Sequence, residues 1–171
     1  MTNKTSRQHL FEVQLNWITD QRGMLSAKDA NGTLHVETPP AFGGKGRPWT
    51  PEHFFLSAIS SCFMTTYLSF AHKFKFEIED LECQAIGMVE IVDGRYKFTK
   101  IDLYPKIFIA DERLRENADL ALEKTHKYCL ISNSINAEIF YHSQVLVDRN
   151  TEVAIPIKIK EDLSAAPPSL S

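Results

Sequence analysis

Residues 51–73, PEHFFLSAISSCFMTTYLSFAHK, read as one long helix that is apolar on almost every side. Thr50 is a suitable N-cap and Pro51 a suitable first helical residue, since the first turn has no use for the missing proline N–H. Phe54, Phe55, Leu56, Ile59, Phe63, Tyr67, Leu68 and Phe70 run nearly all the way round. A helix with so little polar surface must be covered, so the rest of the chain has to wrap a buried central helix. The flanking segments have a different period. LFEVQLNWI (10–18), KFKFEIEDLECQAIGMVEIVD (73–93) and FTKIDLYPKIFIA (98–110) alternate apolar and polar residues, as strands do. DQRG (20–23) reads as a turn, with Gly23 available for a positive φ. Asn31-Gly32 between MLSAKD and TLHVET is a hairpin signal, and DGRY (93–96) is a turn between antiparallel partners. PPAFGGKGRPWT (39–50) is a loop with no helix or strand. Asp111 caps a second helix over 112–127, with Leu114, Ala118, Ala121, Leu122 and Thr125 on one face, and AEIFYHSQVLVD (137–148) is a last strand. Strands, helix, strands, helix, strand imply α+β: a curved antiparallel sheet packed on a central helix.

The bulk properties exclude several classes. The 171 residues suit one domain with a full core, and a net charge of −3 leaves no footprint for nucleic acid. No charge-free apolar run reaches bilayer length, so no membrane span is expected. MTNKTSRQHLFEV has no apolar core of a secretory signal. The 3 cysteines do not make a disulfide framework, which points to a reducing cytoplasm where any disulfide is transient and catalytic.

Two of those cysteines sit in unlike settings. Cys62 lies in the apolar helix, and Cys129 in EKTHKYCLISNSI, where the second helix gives way to a polar turn. Their separation makes any meeting tertiary. Glu52 stands about three helical turns before Cys62. A thiol reduces a peroxide only as thiolate, and an ordinary thiol is mostly protonated at neutral pH. A guanidinium lowers that pKa, whereas a carboxylate opposes ionisation. Glu52 therefore makes sense as an orienter, holding an arginine through a bidentate fork. Arg22 and Arg47 are both candidates for that arginine. Cys83, on an alternating strand, has no acid, base or partner motif and reads as structural or exposed. His126 and Cys129 make a single local H-x-x-C pair, short of the four ligands of structural zinc, so no metal is expected.

TPEHFFLSAISSCF (50–63) resembles the helix start and first cysteine motif of the OsmC/Ohr family of thiol peroxidases. HKYCLISNSI (126–135) resembles its second cysteine motif, and DQRG its arginine turn. The resemblance covers residues 10–148, so 1–148 is taken as the family domain and 149–171 as a C-terminal extension, with a short strand at VAIPIKIK (153–160) and then a tail. Thr19, Asp20 and Gln21 stand where the family approaches its arginine through glycines, and Leu130-Ile131 where it often has a proline, which suggests an outlying branch. The resemblance implies an intertwined homodimer, with antiparallel sheets wrapped around two central helices and sites at the subunit interface. It implies Cys62 as the peroxidatic thiol, Cys129 as the resolving one, and Arg22 with Glu52 as the activating pair. It further implies organic hydroperoxides as substrates, an oxidative-stress role, no bound cofactor, and an external dithiol reductant of the dihydrolipoyl type, including lipoylated protein. The rival expectations are a non-catalytic module of the same fold that binds an apolar ligand, and a structural dimer with inert thiols.

Overall fold

The computed structural model describes residues 8–147, so the expected strand at 153–160 and the tail lie outside the described residues. The chain divides into two compact units, whose described parts are residues 8–54 and 55–147.

In the first unit, β1 (Gln14–Thr19), β2 (Arg22–Ser26) and β3 (Leu34–Glu37) form an antiparallel meander in that order. The β1–β2 turn corrects one expectation. Asp20, at φ 48°, takes the left-handed conformation, not Gly23. Aspartate tolerates that region better than most residues. Gly23 is required for closeness instead, since a Cβ there would lie 2.8 Å from Leu15 Cδ1. In the β2–β3 connection Gly32 does adopt a positive φ, 79°. The segment 39–50, expected to lack regular structure, holds one 3-10 turn at Pro40–Phe42, where prolines preset φ near helical values. Every residue of β1 is exposed, including Trp17 at 75% and Leu15 at 60%.

The helix start follows the local chemistry closely. α1 spans Pro51–Lys73. The His53 N–H donates to Thr50 Oγ1 at 3.4 Å, and the Thr50 N–H donates back to His53 Nδ1 at 3.2 Å. This is a capping box with histidine in place of the usual glutamate. Trp49 stacks on Phe54 at 5.7 Å, closing the start with an aromatic staple. At the far end, Lys75 at φ 59° turns the chain, with the Phe76 N–H bonded to Ala71 O and the Lys75 N–H to His72 O. That Schellman motif explains why the next strand starts at Asp80 and not at Lys73.

In the second unit, β4 (Asp80–Val92) and β5 (Arg95–Phe108) form a long antiparallel hairpin. Its turn residues Asp93 and Gly94 both have positive φ, as a two-residue primed turn requires. Asp111 caps a 3-10 turn at Glu112–Leu114, which leads into α2 (Arg115–Tyr128). The segment 137–148, read as one strand, is two: β6 (Glu138–Tyr141) and β7 (Gln144–Leu146). Both pair parallel to β5, so this sheet is mixed, not wholly antiparallel. The physical reason is the α2 crossover, which returns the chain to the end from which β5 set out.

The core of this unit is built on one stripe of α1. Ile59, Phe63, Tyr67 and Ala71, four apart, are buried against Ile101, Leu103 and Ile107 of β5 and Ala118, Ala121 and Leu122 of α2. Each large side chain so buried contributes about 1.5–3 kcal/mol. The expectation that no apolar run reaches bilayer length is corrected: α1 is long and apolar enough by composition to cross a membrane, while its buried stripe serves the protein's own core. The expectation of burial on most faces is corrected: Met64 and Leu68 remain 37% and 42% exposed, because among the described residues only one stripe of the helix packs fully into the core clusters.

Candidate functional site

Both cysteines owe their positions to ends and stripes of helices. Cys62 follows directly on α1 from the buried stripe and is partly buried. Cys129 is the C-cap of α2, with φ −61° and ψ 113°, so the chain leaves the helix there in extended form. It then folds into a tight turn through a 3-10 segment at Ser132–Ser134, tied by the Asn133 N–H to Cys129 O at 3.1 Å. This turn closes over Cys62. The Ile131 N–H donates to Cys62 Sγ at 3.5 Å, and Thr66 Oγ1, one helical turn on, lies 3.9 Å from the same sulfur.

The two thiols, both free, share a hydrogen bond. Burial opposes ionisation of Cys62, but the Ile131 N–H, the Cys129 thiol, the Thr66 hydroxyl and the Leu130 N–H outweigh it and hold its pKa below the ordinary value. Cys129, with no exposed surface, is shifted the other way. Burial pushes it up, the bond it gives Cys62 adds to that, and the Ser132 hydroxyl and N–H offset part of the rise. The result is an asymmetric pair, with ionisation favoured at Cys62 and opposed at Cys129. Cys83, half-buried on β4, is pushed up to about 11 by burial, with Cys129 adding to the shift, so it stays protonated.

The other expected site residues lie in the first unit. Arg22 opens β2 and is exposed, and it lines a cleft of about 450 Å³ with Glu37, Lys45, Arg47 and Pro48. Both candidate arginines therefore belong to one cleft, with Lys45 a third cation beside them. Glu52 sits in the first turn of α1, and its Oε2 is buried without a hydrogen-bond partner among the described residues. A bidentate fork needs both carboxylate oxygens, so the expected Glu52–arginine fork is not formed among the described residues. His126 Nε2 bonds Ser143 Oγ at 3.2 Å, its ring stacks on Tyr141 at 4.1 Å, and burial lowers its pKa.

Sequence reasoning missed the groups that set the two thiols apart. Thr66 and Ser132 carried a readable signal, each standing one turn after its cysteine. The N–H groups of Leu130 and Ile131 carried none, since any residue type supplies them.

The family model for OsmC-like protein matches residues 44–142. The uncharacterized protein YmaD of Bacillus subtilis is 22% identical over 134 residues, covering 77% of this chain and 89% of YmaD. Among solved structures, an organic hydroperoxide resistance protein of Elizabethkingia anophelis superposes with a TM-score of 0.66 at 18% identity, covering 84% of this chain and 100% of the other. The organic hydroperoxide resistance protein OsmC of Legionella pneumophila gives a TM-score of 0.64 at 20% identity, covering 83% and 100%. At such identities the superpositions speak for the fold, α+β with a long helix against mixed sheets. The family model takes in α1, the β4–β5 hairpin, α2 and the turn that seats the thiol pair, and on that match this chain belongs to the OsmC-like family.

Proposed function

We propose that the protein is a thiol-dependent peroxidase that reduces organic hydroperoxides to alcohols. The observation that carries this reading is the asymmetric thiol pair, in which a sulfur biased toward thiolate lies in hydrogen-bond contact with a second, protonated one. The Cys62 thiolate attacks the terminal peroxide oxygen, the O–O bond breaks, and the alkoxide leaves and takes up a proton as the alcohol. Cys62 is then a sulfenic acid. The Cys129 sulfur attacks Cys62, the S–O bond breaks, and the hydroxyl departs with a proton as water. An external dithiol of the dihydrolipoyl type returns the disulfide to two thiols. The aromatic surroundings suit an apolar hydroperoxide: Phe55 and Phe63 share α1 with Cys62, and Tyr141 lies close to the thiol pair.

The same reading takes the working form to be a homodimer. The exposed apolar strand β1 and, separately, Met64 and Leu68 on α1 are surfaces that a second copy would cover. Glu52 Oε2 is a buried acceptor that awaits a donor, and Arg22 or Arg47 would supply it when the site is complete. The guanidinium would then steady both the thiolate and the charge on the leaving oxygen.

The test is to add one equivalent of cumene or tert-butyl hydroperoxide to the reduced protein, count free thiols and map crosslinks by mass spectrometry. Loss of two thiols per peroxide with a Cys62–Cys129 crosslink is expected. No loss of thiols overturns the enzyme reading and leaves a module that holds an apolar ligand, whose binding would survive Cys62→Ser.

A further inference from the structure

Cys129 has a task for which its surroundings are poorly suited. It must attack as a thiolate, yet it has no exposed surface and burial favours its protonated form. Among the described residues no lysine or arginine contributes to its electrostatics, and the titratable groups that face it are Cys62 on α1, Cys83 on β4 and Tyr141 on β6. None of these brings positive charge. Beyond Tyr141 lies His126, which burial keeps neutral. What favours ionisation comes from one residue. The Ser132 hydroxyl donates to Cys129 Sγ at 3.2 Å, and the Ser132 N–H adds a second hydrogen bond. The Ser132 hydroxyl is in turn hydrogen-bonded to Tyr141. That contact offsets part of the rise that burial causes in the Tyr141 pKa. The result is a line of polar groups, Tyr141 to Ser132 to Cys129 to Cys62, in a pocket otherwise lined by apolar side chains such as Ile131 and Ile139.

We infer that Ser132 is the positioning residue of the resolving step, with Tyr141 fixing its hydroxyl so that the Cys129 sulfur is bonded as charge develops on it. The inference rests on the peroxidase reading for its sulfenic acid. In that step the S–S bond forms, the Cys62 S–O bond breaks, and the Cys129 proton leaves with the departing hydroxyl as water. The Cys129 sulfur is oxidised and the Cys62 sulfur reduced. Ser132 exchanges no proton. It supplies a hydrogen bond that is stronger to the thiolate than to the thiol, and such bonds to charged groups correspond to roughly tenfold or more in an equilibrium or rate. The lifetime of the sulfenic acid, and with it the chance of irreversible over-oxidation, then depends on a residue that is itself neither oxidised nor reduced.

The experiment follows Cys62 in the full chain after one equivalent of tert-butyl hydroperoxide, trapping sulfenic acid with dimedone at timed points and reading both adduct and disulfide by mass spectrometry. Ser132→Ala is expected to lengthen the sulfenic acid lifetime about tenfold at neutral pH. The rate of disulfide closure should level off at a higher pH than in the parent, and Ser132→Thr should restore it. Tyr141→Phe should give a smaller change in the same direction. An unaltered lifetime in Ser132→Ala overturns the inference. So does a slowing that is equal at every pH and not restored by threonine, which would mark a merely structural role. Diamide, an azo oxidant of thiols, supplies a second arm free of peroxide: it captures the Cys62 thiolate, and Cys129 must then attack to close the disulfide. If peroxide consumes no thiols but diamide closure still depends on Ser132, the peroxidase reading fails and the role of Ser132 stands. If diamide closure is also indifferent to Ser132, the inference fails.

Discussion

The pocket around Cys62 and the cleft around Arg22 are opposite kinds of place. The thiol pocket is finished within one chain. Its sulfurs are held by the Ile131 N–H, Thr66, Ser132 and each other, and the residues around them are packed into two core clusters. The cleft of the first unit is an assembly of unspent groups: exposed Arg22 and Arg47, buried Glu37, and a neighbouring strand whose tryptophan is 75% exposed. Glu52, in the same unit, keeps one buried oxygen without a donor among the described residues. On the peroxidase reading, the difference teaches that tuning the nucleophile and equipping the leaving group are separate tasks. The first is solved by local folding of α1 and the turn after α2. The second falls to the cleft of the first unit, which the proposed second copy of the chain would order.

The strongest way to break this division is Cys62→Ser, which should reduce peroxide consumption to the rate of buffer in a coupled dithiol assay. Residual turnover there would move the chemistry elsewhere. Next come Arg22→Ala and Arg47→Ala, measured by kcat/KM. One of the two should lower it by about a hundredfold, the size seen when a single transition-state donor is lost, and the other should change it little. If both are neutral, the cleft has no part in the reaction. Trp17→Ser probes the surface and not the chemistry: sedimentation should show a dimer weakened by about thirtyfold or more, since a buried interface tryptophan typically contributes at least about 2 kcal/mol. A parent protein that sediments as a monomer would sink the covered-strand reading. Thr66→Val removes the weaker of the two side-chain donors to Cys62 and should slow its alkylation at neutral pH by a few fold. Smallest of all is Cys83→Ala, expected to leave turnover alone and to cost about 1 kcal/mol in urea unfolding.

Much of this was legible in the chain, for reasons that can be named. α1 begins at Pro51 as its cap chemistry indicates, because Thr50 and Pro51 act within one turn and need no tertiary information. Asp93-Gly94 fixes the β4–β5 register for the same reason. Cys62 and Cys129 were readable as a pair only through two motifs taken together, since neither position alone distinguishes a redox thiol from a small core residue. What escaped was non-local. Period-2 alternation marks a strand but not its direction, so the parallel pairing of β6 and β7 with β5 was invisible. An apolar helix surface does not state how much of it the chain itself covers, and Met64 and Leu68 remain partly exposed among the described residues. The carboxylate of Glu52 could be assigned a partner type from charge alone, yet whether that partner is present depends on the distant turn and loop that carry Arg22 and Arg47.

The account stands or falls on Cys62 ionising more readily than an ordinary thiol because its neighbours make it so. The direct measurement is the rate of Cys62 alkylation by iodoacetamide as a function of pH, resolved by peptide mass spectrometry, in the parent protein and in Cys129→Ala. A thiol whose pKa is lowered reacts faster as pH rises through that value and then levels off, so the parent curve should reach its plateau below the ordinary thiol value of 9.0. Loss of the Cys129 donor should shift the curve upward. A parent midpoint at or above 9.0, unmoved by Cys129→Ala, would contradict the claim.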